Sequence, residues 1–149
     1  MSKTYSALFH QAVFAVKYRK AQLEKPWRQE LFQYMAGILS NHNHHPILIN
    51  GVEDHVHLFY SPPVNMDSSK IMQLVKANSS KWINERGFTE AKFQWQTGFG
   101  VFSYIKSQVG RVRNYVANQE THHQKTTFQS EYRKMLFRFE VEFDERDLF

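Results

Sequence analysis

Two short spacings in this chain could do chemistry. His55 and His57 stand one residue apart in HVHLFYSPP, and Tyr115 and Gln119 stand four apart in YVANQETHH. In an extended strand alternate side chains point the same way, so both imidazoles share one face while Val56 and Leu58 take the other. Two readings of the pair stay open: hydrogen-bonded histidines on a solvated sheet face, or two ligands of one metal ion. On a helix, residues four apart are neighbours, so Tyr115 and Gln119 share a side, and His122 continues it one turn on. A surface Tyr and Gln on an amphipathic helix fit that spacing as well, and His122 and His123 also suit the C-terminal end of a helix dipole.

Composition limits what such groups can be. The chain has 149 residues, enough for one compact domain over 1–149. Apolar residues make up 42% and Phe alone numbers 13, so a substantial core is available. With 19 basic against 14 acidic side chains the net charge is +5, a bias toward polyanions such as nucleic acid. There is no cysteine, which excludes disulfides and thiolate zinc sites. Any metal must therefore be held by His, carboxylate or amide oxygen, ligands suited to Mg, Mn or Zn. The opening MSKTYSALFHQAVFAVKYRK lacks the basic start and small-residue cleavage pattern of a signal peptide. No apolar run reaches membrane-spanning length, so a soluble intracellular protein without a membrane partner is expected.

The elements that must position these groups can be read in order. Tyr5 to Tyr18 is apolar and unbroken, and reads as a long strand. Pro26 suits the first turn of a helix whose apolar positions Trp27, Leu31, Tyr34, Ile38 and Leu39 run to about Asn41. Pro46 opens a strand and Pro62–Pro63 ends the next; the hairpin turn is expected at Glu53–Asp54, although Asn50-Gly51 is the stronger local signal. Asp67 caps a helix with an inner stripe of Ile71, Leu74, Val75, Asn78 and Trp82, stopped by Gly87. KFQWQTGFGVFSYI reads as strand, glycine bend, then strand or loop. A helix opening at Ser103 or Ser107 runs through SQVGRVRNYVANQETHH, and a last helix begins at the capping-box spacing of Thr126 and Gln129, with Phe128, Tyr132 and Leu136 inward. The order β-α-β-β-α-β, then more helices, is the split βαβ, ferredoxin-like pattern: an α+β fold with an antiparallel sheet and helices on one face, the other face free for ligands or a partner.

Taken together, His-x-His on a central strand and Tyr-x-x-x-Gln on a later helix resemble the small single-tyrosine HUH transposases of bacterial insertion sequences, the IS200/IS605-like family. DHVHLFYSP at 54–62, WQTGFGVFS at 95–103, YVANQETHH at 115–123, TFQSEY at 127–132 and FDERDLF at 143–149 carry the resemblance. It implies that His55, His57 and Gln119 hold a divalent ion, Mg2+ or Mn2+, and that Tyr115 is the nucleophile. It implies cleavage and rejoining of single-stranded DNA through a 5′-phosphotyrosine, at element ends that form hairpins. It also implies a bacterial, cytoplasmic homodimer, in which the tyrosine helix of one subunit can serve the histidines of the other; that trans arrangement is the expected one.

The chemistry is coherent on its own terms. A phenol is a weak nucleophile near neutrality, and a phosphodiester repels nucleophiles. A cation on a non-bridging oxygen stabilises the charge that develops. One phosphodiester is exchanged for another, so no ATP is needed, and no P-loop is present. Glu53 and Asp54 are expected to be solvated turn residues, Asp54 pointing away from the histidine face. Lys106, Arg111 and Arg113 are expected to meet DNA, although Arg111 and Arg113 cannot face the same side of a helix. Trp95, Phe99, Phe102 and Tyr104 interleave with them, at least half as core. HNHH at 42–45 lacks an evident partner for a second metal site. The other class of function is a ferredoxin-like nucleic-acid-binding module without catalysis; a relative of the transposases serving its host would look the same in sequence.

Overall fold

The computed structural model describes residues 3–20 and 22–148, so Phe149 of the last resembling block lies outside the described residues. Strand β1 is Phe9–Ala15, followed by helix α1, Lys25–Asn41, and the hairpin of β2, His45–Gly51, and β3, His55–Ser61. Helix α2 is Ser68–Arg86 and β4 is Gly100–Tyr104. Beyond them come α3, Val109–Ala117; α4, Gln119–His122; α5, Phe128–Arg138; and α6, Glu145–Leu148. The four strands form one sheet in the order β2-β3-β1-β4, every neighbour antiparallel. This is the split βαβ, ferredoxin-like arrangement expected from the pattern.

Strand β3 is central and almost wholly buried, from His55 to Tyr60. Val56, Leu58 and Tyr60 join Ala12, Phe14 and the inner sides of α1 and α2 in the largest core cluster. His55, His57 and Phe59 face the other way. That second face is not free, as the pattern suggested: α3 puts Val112 and Val116 on Phe59, and α5 puts Met135 and Leu136 near Val13 and Phe102. The C-terminal third supplies a second apolar helix layer, and its short amphipathic stripes left that hard to foresee.

The hairpin turns at Val52–Asp54, with Asn50 opposite His57 and Gly51 opposite Val56 still inside the ladder. At Gly51 a Cβ would stand 2.3 Å from the His55 carbonyl oxygen, so this close strand crossing requires glycine. Asp67 caps α2 by accepting from the Lys70 amide at 3.1 Å, and Gly87 ends it in the left-handed region. The buried stripe of α2 is Ile71, Met72, Val75, Ser79 and Ile83, turned slightly from the expected one; Leu74 and Trp82 pack at its edge.

Four local expectations change, the first being that the strand expected at the start of KFQWQTGFGVFSYI is reduced to an isolated bridge between Trp95 and Val16. The first strand is shorter than Tyr5–Tyr18, because the chain leaves the ladder after Val16 for a single 3-10 turn at Lys17–Arg19. The helix expected through 107–123 opens with a 3-10 turn at Lys106–Gln108 and breaks at Asn118, whose φ of −100° and ψ of 24° interrupt it. Thr127, not Thr126, caps α5, its hydroxyl accepting from the Ser130 amide at 3.2 Å.

Candidate active site and metal centre

Pairing with β1 and β2 turns His55 and His57 onto the sheet face covered by α3, α4 and α5. Both are fully buried, and their ring centroids are 5.3 Å apart. The ends of the C-terminal helices meet them there. Gln119, the first residue of α4, is equally buried and brings its Oε1 to 3.2 Å from His55 Nε2. The Tyr115 ring lies 5.8 Å from the His57 ring. Asn50, beside His57 on β2, donates to the carbonyl oxygens of Val116 and Ala117 at 2.9 and 3.2 Å and fixes the end of α3. Histidine pair, glutamine and tyrosine thus converge within one chain.

Three further residues complete the cluster. Glu131 of α5 is 3% exposed, and its Oε1 stands 3.2, 3.1 and 3.0 Å from Nε2 of His55, His57 and His123. Its Oε2 accepts from the Tyr115 hydroxyl and, at 3.3 Å, from the Gln119 amide. His123 Nδ1 donates to the Thr126 carbonyl at 2.8 Å. Asp54 accepts from His55 Nδ1 at 2.7 Å, so it is not the outward-facing turn residue expected; the tight turn swings its carboxylate back along the strand end. Behind His57, Gln11 Nε2 meets Nδ1 at 2.9 Å, and Tyr104 donates to Gln11 Oε1.

Signals for these residues existed. Glu131 lies three residues after Phe128 and four before Met135, a carboxylate on the apolar side of a helix. His123 follows Gln119 by four. Gln11 is a polar residue inside the apolar run of β1.

Proton placement leaves the cluster able to hold a cation. A carboxylate accepts only, so the Asp54 contact puts the neutral His55 proton on Nδ1 and leaves Nε2 with a lone pair. That lone pair faces Gln119 Oε1 and Glu131 Oε1, both acceptors. Acceptors facing one another at about 3 Å need a positive charge among them, supplied by a proton or by a metal ion. In the protein alone a proton fits: burial lowers the His55 pKa, but its bonds to Asp54 and Glu131 outweigh that and raise it to about 9. His57, buried and facing other imidazoles, is lowered, the Glu131 carboxylate opposing this. Burial raises the Glu131 pKa, yet His57, His123 and His55 together hold it well below the carboxylate range. Burial and the neighbouring Glu131 push the Tyr115 phenol up. Acceptors of this kind fit a divalent ion. Among the described residues, His55, His57, His123 and Glu131 form the one group of acidic or imidazole donors close enough for an ion.

A cavity of about 600 Å³ opens beside Tyr115 and Glu131, and Arg111, Lys134 and Arg138 line it with positive charge. Of the predicted basic residues, Arg111 reaches this cavity. Arg113 is exposed and outside its lining, and Lys106 sits over the Phe9 ring at 5.5 Å. Trp95 and Phe102 are core, as expected of at least half of that group. In HNHH, His42 and His44 bond backbone carbonyls through Nδ1 and join no metal-binding group. Among the described residues no helix is long and apolar enough to cross a membrane.

Comparison with known proteins adds the family. The profile of the IS200-like transposase family matches residues 4–119. No curated protein matches the chain. A crystal structure of a transposase candidate from Deinococcus radiodurans R1 superposes with a TM-score of 0.64 at 16% identity, covering 80% of this chain and 98% of that one. A REP-associated tyrosine transposase bound to a REP hairpin superposes with a TM-score of 0.59 at 15% identity, covering 83% and 74%. Both are similar in fold.

Proposed function

The chain belongs to the IS200-like transposase family, enzymes of DNA transposition and recombination, and from that premise we propose that it cuts and rejoins single-stranded DNA by transesterification, with Tyr115 as nucleophile. The observation that carries the proposal is the Tyr115 hydroxyl bonded to the same Glu131 carboxylate that faces both imidazoles of the histidine pair. In the reaction the phenol oxygen bonds to phosphorus, the P–O3′ bond breaks, and the 3′ oxygen leaves as a hydroxyl. The protein keeps the 5′ phosphate on Tyr115, and the reverse attack by another 3′ hydroxyl restores a phosphodiester. His55, His57 and Gln119 would hold a divalent ion, which when bound supplies charge stabilisation at the reacting phosphate.

The remaining residues act on placement. Asp54 orients His55, and Asn50 holds the end of α3 so that Tyr115 faces the pair. Gln11 can present either end of its amide to His57, which suits both a donating and an accepting Nδ1. Arg111 draws the phosphate backbone toward the cavity beside the nucleophile, with Lys106 and Arg113 as outer contacts. The substrate class is a hairpin-forming single strand; the structural neighbour bound to a REP hairpin supports that choice. The protein works as one domain in a bacterial cytoplasm, as a homodimer whose sites are each complete in cis.

The test is incubation of the full chain with labelled single-stranded hairpins and Mg2+ or Mn2+, followed by denaturing electrophoresis. The parent protein forms a denaturant-resistant adduct and Tyr115→Phe does not, while still binding DNA. Absence of any adduct from the parent protein favours the non-catalytic binding module instead.

A further inference from the structure

We propose that His123 and Glu131 are ligands of the same cation as His55, His57 and Gln119, and that this nitrogen-rich set selects Zn2+ or Co2+ over Mg2+. The inference rests on the metal reading above and deepens it. Its first support is the state of His123. Its Nδ1 is 2.8 Å from the Thr126 carbonyl, which can only accept, so the proton sits on Nδ1 and the Nε2 lone pair points inward. His55 is held the same way by Asp54. Two imidazoles on different elements therefore carry the outer partner that prepares a histidine for a metal.

The second support is spacing. Ligands bonded at 2.0–2.1 Å to one ion lie roughly 2.8–3.0 Å from adjacent ligands in an octahedron and about 3.3–3.4 Å in a tetrahedron. Glu131 Oε1 stands 3.0–3.2 Å from three Nε2 atoms. One donor from each of His55, His57, His123 and Glu131 lies within 4.8 Å of all the others. His122 contrasts: it is about one-third exposed, lines the open cavity, and approaches the other oxygen, Oε2.

The third support is donor type. Mg2+ prefers an octahedron of oxygens and keeps several waters, whereas imidazole suits Zn2+ and its neighbours in the first transition row. Three imidazoles and one carboxylate in a buried pocket are a poor match to Mg2+. The same carboxylate also accepts from Tyr115, so the ligand that fixes the ion also positions the nucleophile beside it.

The experiment uses the full chain, stripped by chelator and titrated with Co2+, with visible ligand-field absorption as the readout and Zn2+ and Mg2+ as competitors. The parent chain is expected to develop Co2+ bands that Zn2+ removes and a large excess of Mg2+ leaves in place. His123→Ala and Glu131→Gln each weaken Co2+ binding on the order of 100-fold, with circular dichroism checking the fold. X-ray absorption at the cobalt edge of the unmutated protein counts imidazoles without any variant: three support the assignment and two overturn it. Unchanged affinity in a folded His123→Ala also overturns it, and leaves the His55–His57–Gln119 site standing. Displacement of Co2+ by equal Mg2+ overturns the preference. A parent chain that binds no divalent ion overturns this inference and the metal reading beneath it together.

Discussion

On one side of β3, Val56, Leu58 and Tyr60 sit among the apolar residues of α1 and α2. On the other, His55 and His57 are no more exposed, yet almost everything their rings meet can hydrogen-bond or carry charge. The two faces share one backbone and the same dryness, and they use it oppositely. On the apolar face, exclusion of water is the stabilising force itself. On the polar face it strengthens each electrostatic contact, and it makes each group depend on its partners. Stability should therefore be concentrated on one side of the strand and chemistry on the other.

Four experiments sharpen or break that division. The largest effect is expected from Tyr115→Phe, which removes only a hydroxyl: adduct formation falls to nothing on denaturing gels, while the chain unfolds within about 1 kcal/mol of the parent. Leu58→Ala should do the reverse. It opens a cavity in the apolar cluster and costs about 2–5 kcal/mol in denaturant unfolding, yet the fraction still folded forms adduct at the parental rate. A folded Leu58→Ala protein with no activity would show that the faces are not separable. Third, a divalent ion at about 100 times its dissociation constant should stabilise the parent by about 2.7 kcal/mol, measured as a shift in the denaturant midpoint. Leu58→Ala keeps that increment, and His55→Ala loses it. The smallest effect belongs to Asn50→Ala, which loses the bonds to the end of α3; about 1 kcal/mol of stability and a severalfold slower adduct are expected, because Asn50 ties β2 to the helix that carries Tyr115. Mixing Tyr115→Phe with His55→Ala subunits tests the cis arrangement as well: restored adduct formation would mean that a partner's tyrosine serves the site.

The apolar face was the legible one. The order of elements along the chain, the turn at 52–54 and the Asp67 cap follow from alternation, prolines and a single carboxylate before an apolar run, all local signals. The polar face was legible only in its first members. His55 and His57 announce themselves by spacing along one strand, and Gln119 follows Tyr115 at a helical spacing of four. Glu131, His123 and Asp54 reach the cluster through tertiary packing: the docking of α5, the continuation past Asn118, and a turn tight enough to bring a carboxylate back onto its neighbour. None of those is encoded by a short repeat. The break at Asn118 was hidden because YVANQETHH keeps a helical period across it.

The order in which the polypeptide is made gives the C-terminal helices a particular meaning. All four strands and both large helices are present once residue 104 has been synthesised, while Tyr115, Gln119, His123 and Glu131 are still to come. A chain ending there would hold every strand and the histidine pair, yet none of the four side chains that pack over them. On the function proposed above, the attacking group lies in the segment synthesised after the strands it packs against.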